Sequence, residues 1–252
     1  MTVEPYFKTR LGVLYHGDAL QILDIIPNSS VDLIIADPPY FVLDTVKMVD
    51  ERAKKWDHFE DEDSYMNFTV KWLNMCYNVL KVGGSLFTFW SEKHLFLFKQ
   101  ILDKTKFKLY KVIVWHYPNV LKGFSNKRWI NTFDFIFHLV KGDKPKVFNA
   151  SFVREENKDV QIFPKPQWNY KKDKKLHTAQ KPYELIERLV KMFSNEEETV
   201  LDPFMGSGTT AVACERLNRK WIGIEINEDY CKIIVDRLKP LLNQRILDAW
   251  QI

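Results

Sequence analysis

The chain has little of what would tie it to a membrane, a secretory route or a metal. Its 252 residues hold three cysteines, Cys76, Cys214 and Cys231, without paired spacing. Cys76 and Cys214 lie among apolar residues in helical patterns, so buried thiols in a reducing compartment fit better than disulfides or ligands. No structural zinc is expected. The N-terminal MTVEPYFKTR lacks an apolar signal region, and no run reaches the roughly 18 apolar residues of a membrane span. A cytoplasmic protein is expected. No stretch is depleted enough in apolar residues to be a linker, which favours one domain over residues 1–252, with insertions. A phosphate loop of the form GxxxxGK[ST] is also missing, which disfavours a nucleotide triphosphatase. The net charge of +4, from 37 basic against 33 acidic residues, permits a polyanion partner without requiring one.

Residues 31–40, VDLIIADPPY, carry the strongest signal. The first six positions are almost all apolar and rich in β-branched side chains, as in a strand buried on both faces of a parallel sheet. Two consecutive prolines cannot donate ladder hydrogen bonds, so the strand stops at Ala36 and Asp37. In an open α/β sheet that carboxyl edge is where ligands bind. Asp37 is thereby delivered to a site mouth, with Tyr40 three residues on. A lone Asp-Pro pair would read as a turn; the whole string DPPY reads as function.

In chain order, residues 11–16 read as a short strand, and Gly17-Asp18 opens a helix that Pro27-Asn28 ends. Asp18 either caps that helix or holds a ligand at the same sheet edge as Asp37. Residues 41–63 have no sustained period and are expected to form a mobile or DNA-binding loop. An amphipathic helix over 64–80 is stopped by Gly83-Gly84. A strand over 85–90, a helix over 92–102 and strands over 109–116 and 132–140 follow, the alternation of a doubly wound sheet. Segment 117–131 mixes aromatics, Tyr117 among them, with Lys122, Lys127 and Arg128. From 141 to 175 periodicity disappears, and Lys171, Lys172, Lys174 and Lys175 cluster near Trp168 and Tyr170. A lysine run is most often a solvated surface, but this mixture also suits phosphates and unstacked bases. Lys181-Pro182 starts a helix through Phe193, and residues 199–201 form a strand. A strand over 220–226 and a closing helix over 230–238, limited by Pro240, complete the chain.

Between the last two strands lies a second motif, DPFMGSGTTAVACERL at 202–217. Gly206, Gly208 and Ala211 satisfy the G-x-G-x-x-A spacing of a strand, turn and helix, and Glu225 lies where an acid would meet ribose hydroxyls. The spacing alone fits any adenosine-containing cofactor. Asp202 discriminates, because an acid directly before the turn would repel a pyrophosphate but pair with an ammonium. S-adenosyl-L-methionine, with amine, carboxylate, sulfonium and ribose, needs that mixture.

With both motifs in view, the sequence resembles the amino-group DNA methyltransferases, whose hallmarks are a DPPY or SPPY string and an F-x-G-x-G turn. ADPPYF at 36–41 and DPFMGSGTT at 202–210 match them, in the order of the permuted class called beta. HGDAL at 16–20, HTAQKP at 177–182 and GIEINEDY at 223–230 extend the match along nearly the whole chain. Thr178 stands where the family often has proline, and VWHYPN at 114–119 lacks a lysine common there. The resemblance implies an α/β, Rossmann-like sheet of seven strands with helices on both faces. One strand, at 133–140, would be antiparallel, and 141–175 would be a small irregular target-recognition insertion. The strand at 199 would lie beside the one at 31, bringing Asp202 and Asp37 to one edge.

That resemblance also implies roles. Asp37, Pro38 and Tyr40 are expected to be catalytic, the first two accepting hydrogen bonds from an exocyclic amine and the third stacking on the base. Asp18, Ala19, Asp37, Lys181, Asp202, Phe204, Gly206, Ser207, Gly208, Thr209, Glu225 and Ile226 are expected around S-adenosyl-L-methionine. Pro39, Tyr40, Phe41, Tyr117, Lys127 and Arg128 are expected to meet the substrate. The expected reaction is site-specific methylation of adenine N6 in double-stranded DNA, within restriction-modification, with no metal, no membrane and room for a homodimer. Cytosine N4 is the alternative substrate. More remote readings are an RNA methyltransferase, a nicotinamide-dependent oxidoreductase and a non-enzymatic nucleic-acid binder.

Overall fold

A computed structural model of the chain describes residues 4–41, 59–120, 129–150, 157–166 and 180–249. The centre is the strand foreseen at 31, β3 (Val31–Ala36), whose side chains alternate between two apolar cores. Leu33 and Ile35 enter one core, Ile34 and Ala36 the other, all at 2% exposure or less. Burying one such aliphatic side chain contributes about 1.5–3 kcal/mol. A strand of this kind therefore has to be covered on both faces.

Around it the described strands are β1 (Phe7–Lys8), β2 (Gly12–His16), β4 (Leu80–Trp90), β5 (Lys108–His116), β6 (Phe133–Val140), β7 (Val160–Ile162), β8 (Thr199–Asp202) and β9 (Lys220–Glu225). They form one sheet in the order β1-β2-β9-β8-β3-β4-β6-β5-β7. The α/β architecture is as expected, and β6 runs antiparallel to both neighbours. Strand β8 pairs in parallel with β3, as anticipated. The count differs, because nine strands replace seven. The additions are β1, antiparallel at one edge, and β7, parallel at the other. β7 falls inside 141–175, so that segment is not wholly irregular. With two and three residues, β1 and β7 are too short to show a period.

Helices α1 (Ala19–Ile25), α2 (Glu62–Val79) and α3 (Leu95–Asp103) supply Ile22, Trp72, Leu73, Phe98 and Ile101 to the core holding Ile34. Helices α4 (Tyr183–Phe193), α5 (Thr209–Arg216) and α6 (Glu228–Ala249) supply Leu185, Val190, Ala213, Ile234 and Leu238 to the core holding Ile35. Both faces are thus covered. Two breaker readings are corrected. Gly83-Gly84 does not stop a helix: α2 ends at Val79, and β4 runs through both glycines, with Gly83 at φ 79°. Pro240 does not end the last helix but lies inside α6, on its exposed side, where solvent can take up the carbonyl its ring leaves unbonded. Residues 42–58 of the expected loop, and Trp168, Tyr170 and the lysine cluster of the expected insertion, lie outside the described residues.

Candidate active site

Four parallel strands deliver their carboxyl ends to one edge. His16 of β2 pairs with Glu225 of β9, Asp202 of β8 pairs with Gly223, and Ile34 of β3 pairs with Leu201. The segments just beyond those ends line one open cleft. Asp37, Pro38, Pro39 and Tyr40 line it together with Pro203, Phe204, Met205, Gly206, Ser207 and Thr209.

The glycine turn is built around two carboxylates. Asp202, 5% exposed, accepts hydrogen bonds from the Phe204 amide (3.0 Å) and the Thr210 hydroxyl (2.6 Å). Glu225, 7% exposed, accepts from the amides of Gly206 (2.7 Å) and Asn227 (2.8 Å). Burial pushes each up to about 7 against the pull of those donors. The turn then passes through Gly206 at φ 54° and Gly208 at φ 78°, the latter capping α5. A Cβ at Gly208 would stand 2.8 Å from Ile234 Cγ1 on α6, so glycine is required there for both conformation and room.

The string after β3 is equally constrained. Both Asp37 oxygens are engaged: the Tyr40 hydroxyl donates to Oδ1 and the Lys181 ammonium to Oδ2. Burial, then the Asp37 charge, raises the Tyr40 hydroxyl well above its usual range. Phe41 leaves the string at φ 53°. Its ring stacks on Tyr65 and His94 at 5.7 and 5.8 Å. Its carbonyl accepts from Lys93 Nζ (3.0 Å) and faces His94 Nε2 at 3.3 Å.

The structure brings most of the expected residues together. Asp18, Ala19, Lys181 and Ile226 line the same cleft as Asp37 and Asp202. Asp18 also caps α1, its Oδ1 accepting from the amides of Leu20 (2.9 Å) and Gln21 (3.2 Å). Gly208 stands behind the cleft wall. Two substrate expectations are corrected by packing. Phe41 is turned into the aromatic cluster at the foot of α2, away from the cleft lining. Tyr117 is 1% exposed, with its hydroxyl donated to the Phe133 carbonyl at 3.0 Å and its ring under Lys165 Nζ at 3.6 Å. A base cannot reach a ring so covered. Lys127 and Arg128 lie outside the described residues. Sequence reasoning missed Arg237 of α6, whose Nη1 donates to the Ser207 carbonyl (2.5 Å) and the Thr209 hydroxyl (3.3 Å). It also missed Tyr230, Phe68 and Phe89 as lining. An arginine at helical spacing gives no sign of its target, and lining aromatics look like core.

A family model described as DNA methylase matches residues 31–236, which include both motifs. The chain belongs to this DNA methylase family. It is an amino-methyltransferase of the beta class, and its cofactor is S-adenosylmethionine. The Type II methyltransferase M.HinfI of Haemophilus influenzae is 30% identical over 92% of this chain and 69% of its own length. M.BamHI of Bacillus amyloliquefaciens is 34% identical over 94% of this chain, which spans 59% of that relative. Among solved structures, PvuII DNA methyltransferase (cytosine-N4-specific) shares the fold at TM-score 0.75 and 22% identity, covering 95% of each chain. The M1.HpyAVI–SAM complex superposes at TM-score 0.68 and 26% identity, over 90% of this chain and 100% of that one. The methylase's cleft suits that cofactor: its two buried carboxylates, raised toward neutrality, gain from an ammonium and from hydroxyl donors, and each keeps lone pairs for them. Among the described residues no group of three or more His, Cys, Asp or Glu could hold a metal, and no helix is long and apolar enough to cross a membrane.

Proposed function

We propose that this methylase transfers a methyl group to N6 of adenine in double-stranded DNA, as the modification arm of a restriction-modification system. The observation that carries this reading is the one cleft that Asp37 lines together with Asp202 and the turn at Gly206. The Type II methyltransferase relatives support the restriction-modification setting. Aspartate at the head of the DPPY string favours adenine.

When bound, S-adenosylmethionine supplies an electrophilic methyl on a sulfonium, which leaves sulfur as the new nitrogen–carbon bond forms. Asp37 accepts a hydrogen bond from the target amine, and the Pro38 carbonyl takes its other hydrogen. Together they free a lone pair that the ring otherwise delocalises. The base must leave the helix to arrive there, and the Tyr40 ring stacks on it, offsetting part of the unpairing cost. Asp202 would hold the cofactor amine, Glu225 its ribose hydroxyls, Asp18 the adenine side, and Phe204 would form a wall. Most of the acceleration comes from holding nitrogen and methyl in line.

Cytosine N4 is the second reading, favoured by the shared fold of the cytosine-N4-specific PvuII enzyme. Unmethylated DNA treated with protein and methyl-labelled cofactor, then digested to nucleosides, separates the two. Label in N6-methyl-2′-deoxyadenosine is the expected result; label in N4-methyl-2′-deoxycytidine selects the alternative, and unlabelled DNA rejects both.

A further inference from the structure

The sequence places Lys181 beside the cofactor, but the structure sets its ammonium on Asp37. Resting on the reading above, we propose that Lys181 is the positioning residue of Asp37, fixing the carboxylate as a pure hydrogen-bond acceptor for the target amine. The Lys181 side chain is 9% exposed and that of Asp37 21%, so an ammonium here is stripped of most of its water. Such a group is retained only where a charge and polarisable surroundings replace the solvent. Asp37 supplies the charge. The rings of Phe89 and Tyr40, with centroids 4.9 and 5.5 Å from Nζ, supply the surroundings.

The backbone holds the lysine as firmly as its partners do. Lys181 precedes Pro182, which caps α4, and a residue before proline is confined to extended conformations. Helix α4 is anchored in turn by Leu185, Leu189 and Val190, each 3% exposed or less. The ammonium therefore belongs to a rigid element that packs on the opposite face of the sheet from α1 and α2.

The chemistry explains the need. A carboxylate has about four lone-pair sites, and rotation about its last bond is soft. With Tyr40 on Oδ1 and Lys181 on Oδ2, that rotation is blocked and the remaining lone pairs have fixed directions. The carboxylate so held orients the amine by accepting its hydrogen bond, and the proton shed after methyl transfer goes to water.

Steady-state kinetics on DNA with K181M and K181R, together with calorimetry of S-adenosylmethionine binding, test this. K181M is expected to lower kcat by about 30-fold, with KM for DNA and cofactor Kd within about threefold of the parent. K181R, which keeps the charge, is expected to retain kcat within about threefold. Unchanged kcat in K181M overturns the proposal. So does a loss explained by weaker cofactor binding, and so does K181R as impaired as K181M. If K181M does not fold by circular dichroism, K181Q replaces it under the same criteria. A parent protein that methylates no DNA refutes the proposed function instead, which keeps the two failures distinct.

Discussion

Two carboxylates that burial would rather neutralise and one engaged by a lysine and a tyrosine line the methylase's candidate site. Asp37→Ala removes the proposed acceptor for the amine but leaves the glycine turn untouched. We expect methyl transfer to fall by about three orders of magnitude while calorimetric cofactor affinity stays within about threefold. Asp202 and Glu225 lead to a pH prediction. Each is raised to about 7, so below that value the empty site holds protons that an ammonium or a ribose hydroxyl must compete with. Cofactor binding should therefore strengthen as pH rises from 5.5 to 8 and should release protons in the lower part of that range. Calorimetry in buffers of different ionisation enthalpy checks this, and Asp202→Asn should flatten the dependence. Asp37, Asp202 and Glu225 were legible in the sequence because each ends an apolar run, where a strand must present it at the sheet edge. The Lys181–Asp37 pair was not, since 144 positions separate the partners and neither neighbourhood marks the other. Tyr117 misled because an aromatic among lysines looks the same whether it faces solvent or packs beneath one.

At the level of elements, the glycine turn and the last helix constrain each other. Gly208→Ala combines a left-handed backbone with a side-chain clash against Ile234 of α6. A loss of about 1–3 kcal/mol in denaturant unfolding is expected, with weaker cofactor binding alongside. Pro240 gives the opposite sign. Inside α6 it removes a helix hydrogen bond, so Pro240→Ala should raise stability by about 2 kcal/mol, the helix penalty of proline less its restriction of the unfolded chain. The positions of β3, β8 and β9 could be read from their apolar runs, and α2 from its period. The errors came from breakers. Glycines and prolines announce punctuation, but a strand bends through Gly83 and a long helix tolerates Pro240 where solvent reaches its backbone. Strands β1 and β7 left no pattern because two or three residues cannot establish alternation.

For the whole molecule, the order of strands came from the resemblance to a family, not from periodicity, which is blind to which strands are neighbours. That order is what turns two motifs 165 positions apart, at Asp37 and Asp202, into one site. Placing two carboxyls there has a cost that global stability should report. Both are raised from ordinary values near 4 to about 7 in the folded chain, so the folded state binds more protons than the unfolded one between those limits. Stability of the cofactor-free methylase should fall as pH rises through that window and level off above it. His138, lowered by burial to about 3, opposes this with one proton over most of the window against two from the carboxyls, and Asp143 and Asp159, lowered by hydrogen bonds from Lys108 and Lys111, act only below it. Thermal melts from pH 5 to 8, with and without saturating cofactor, should show a larger stabilisation by cofactor at pH 8. The central claim is spatial, and a crystal structure of this methylase with S-adenosylmethionine bound tests it most directly. We predict the donor's amine on Asp202, its ribose on Glu225, and its methyl aimed at Asp37 across a gap that fits a single amine nitrogen, about 3 Å from the methyl. A donor seated elsewhere, or one whose methyl points away from Asp37, would contradict the account.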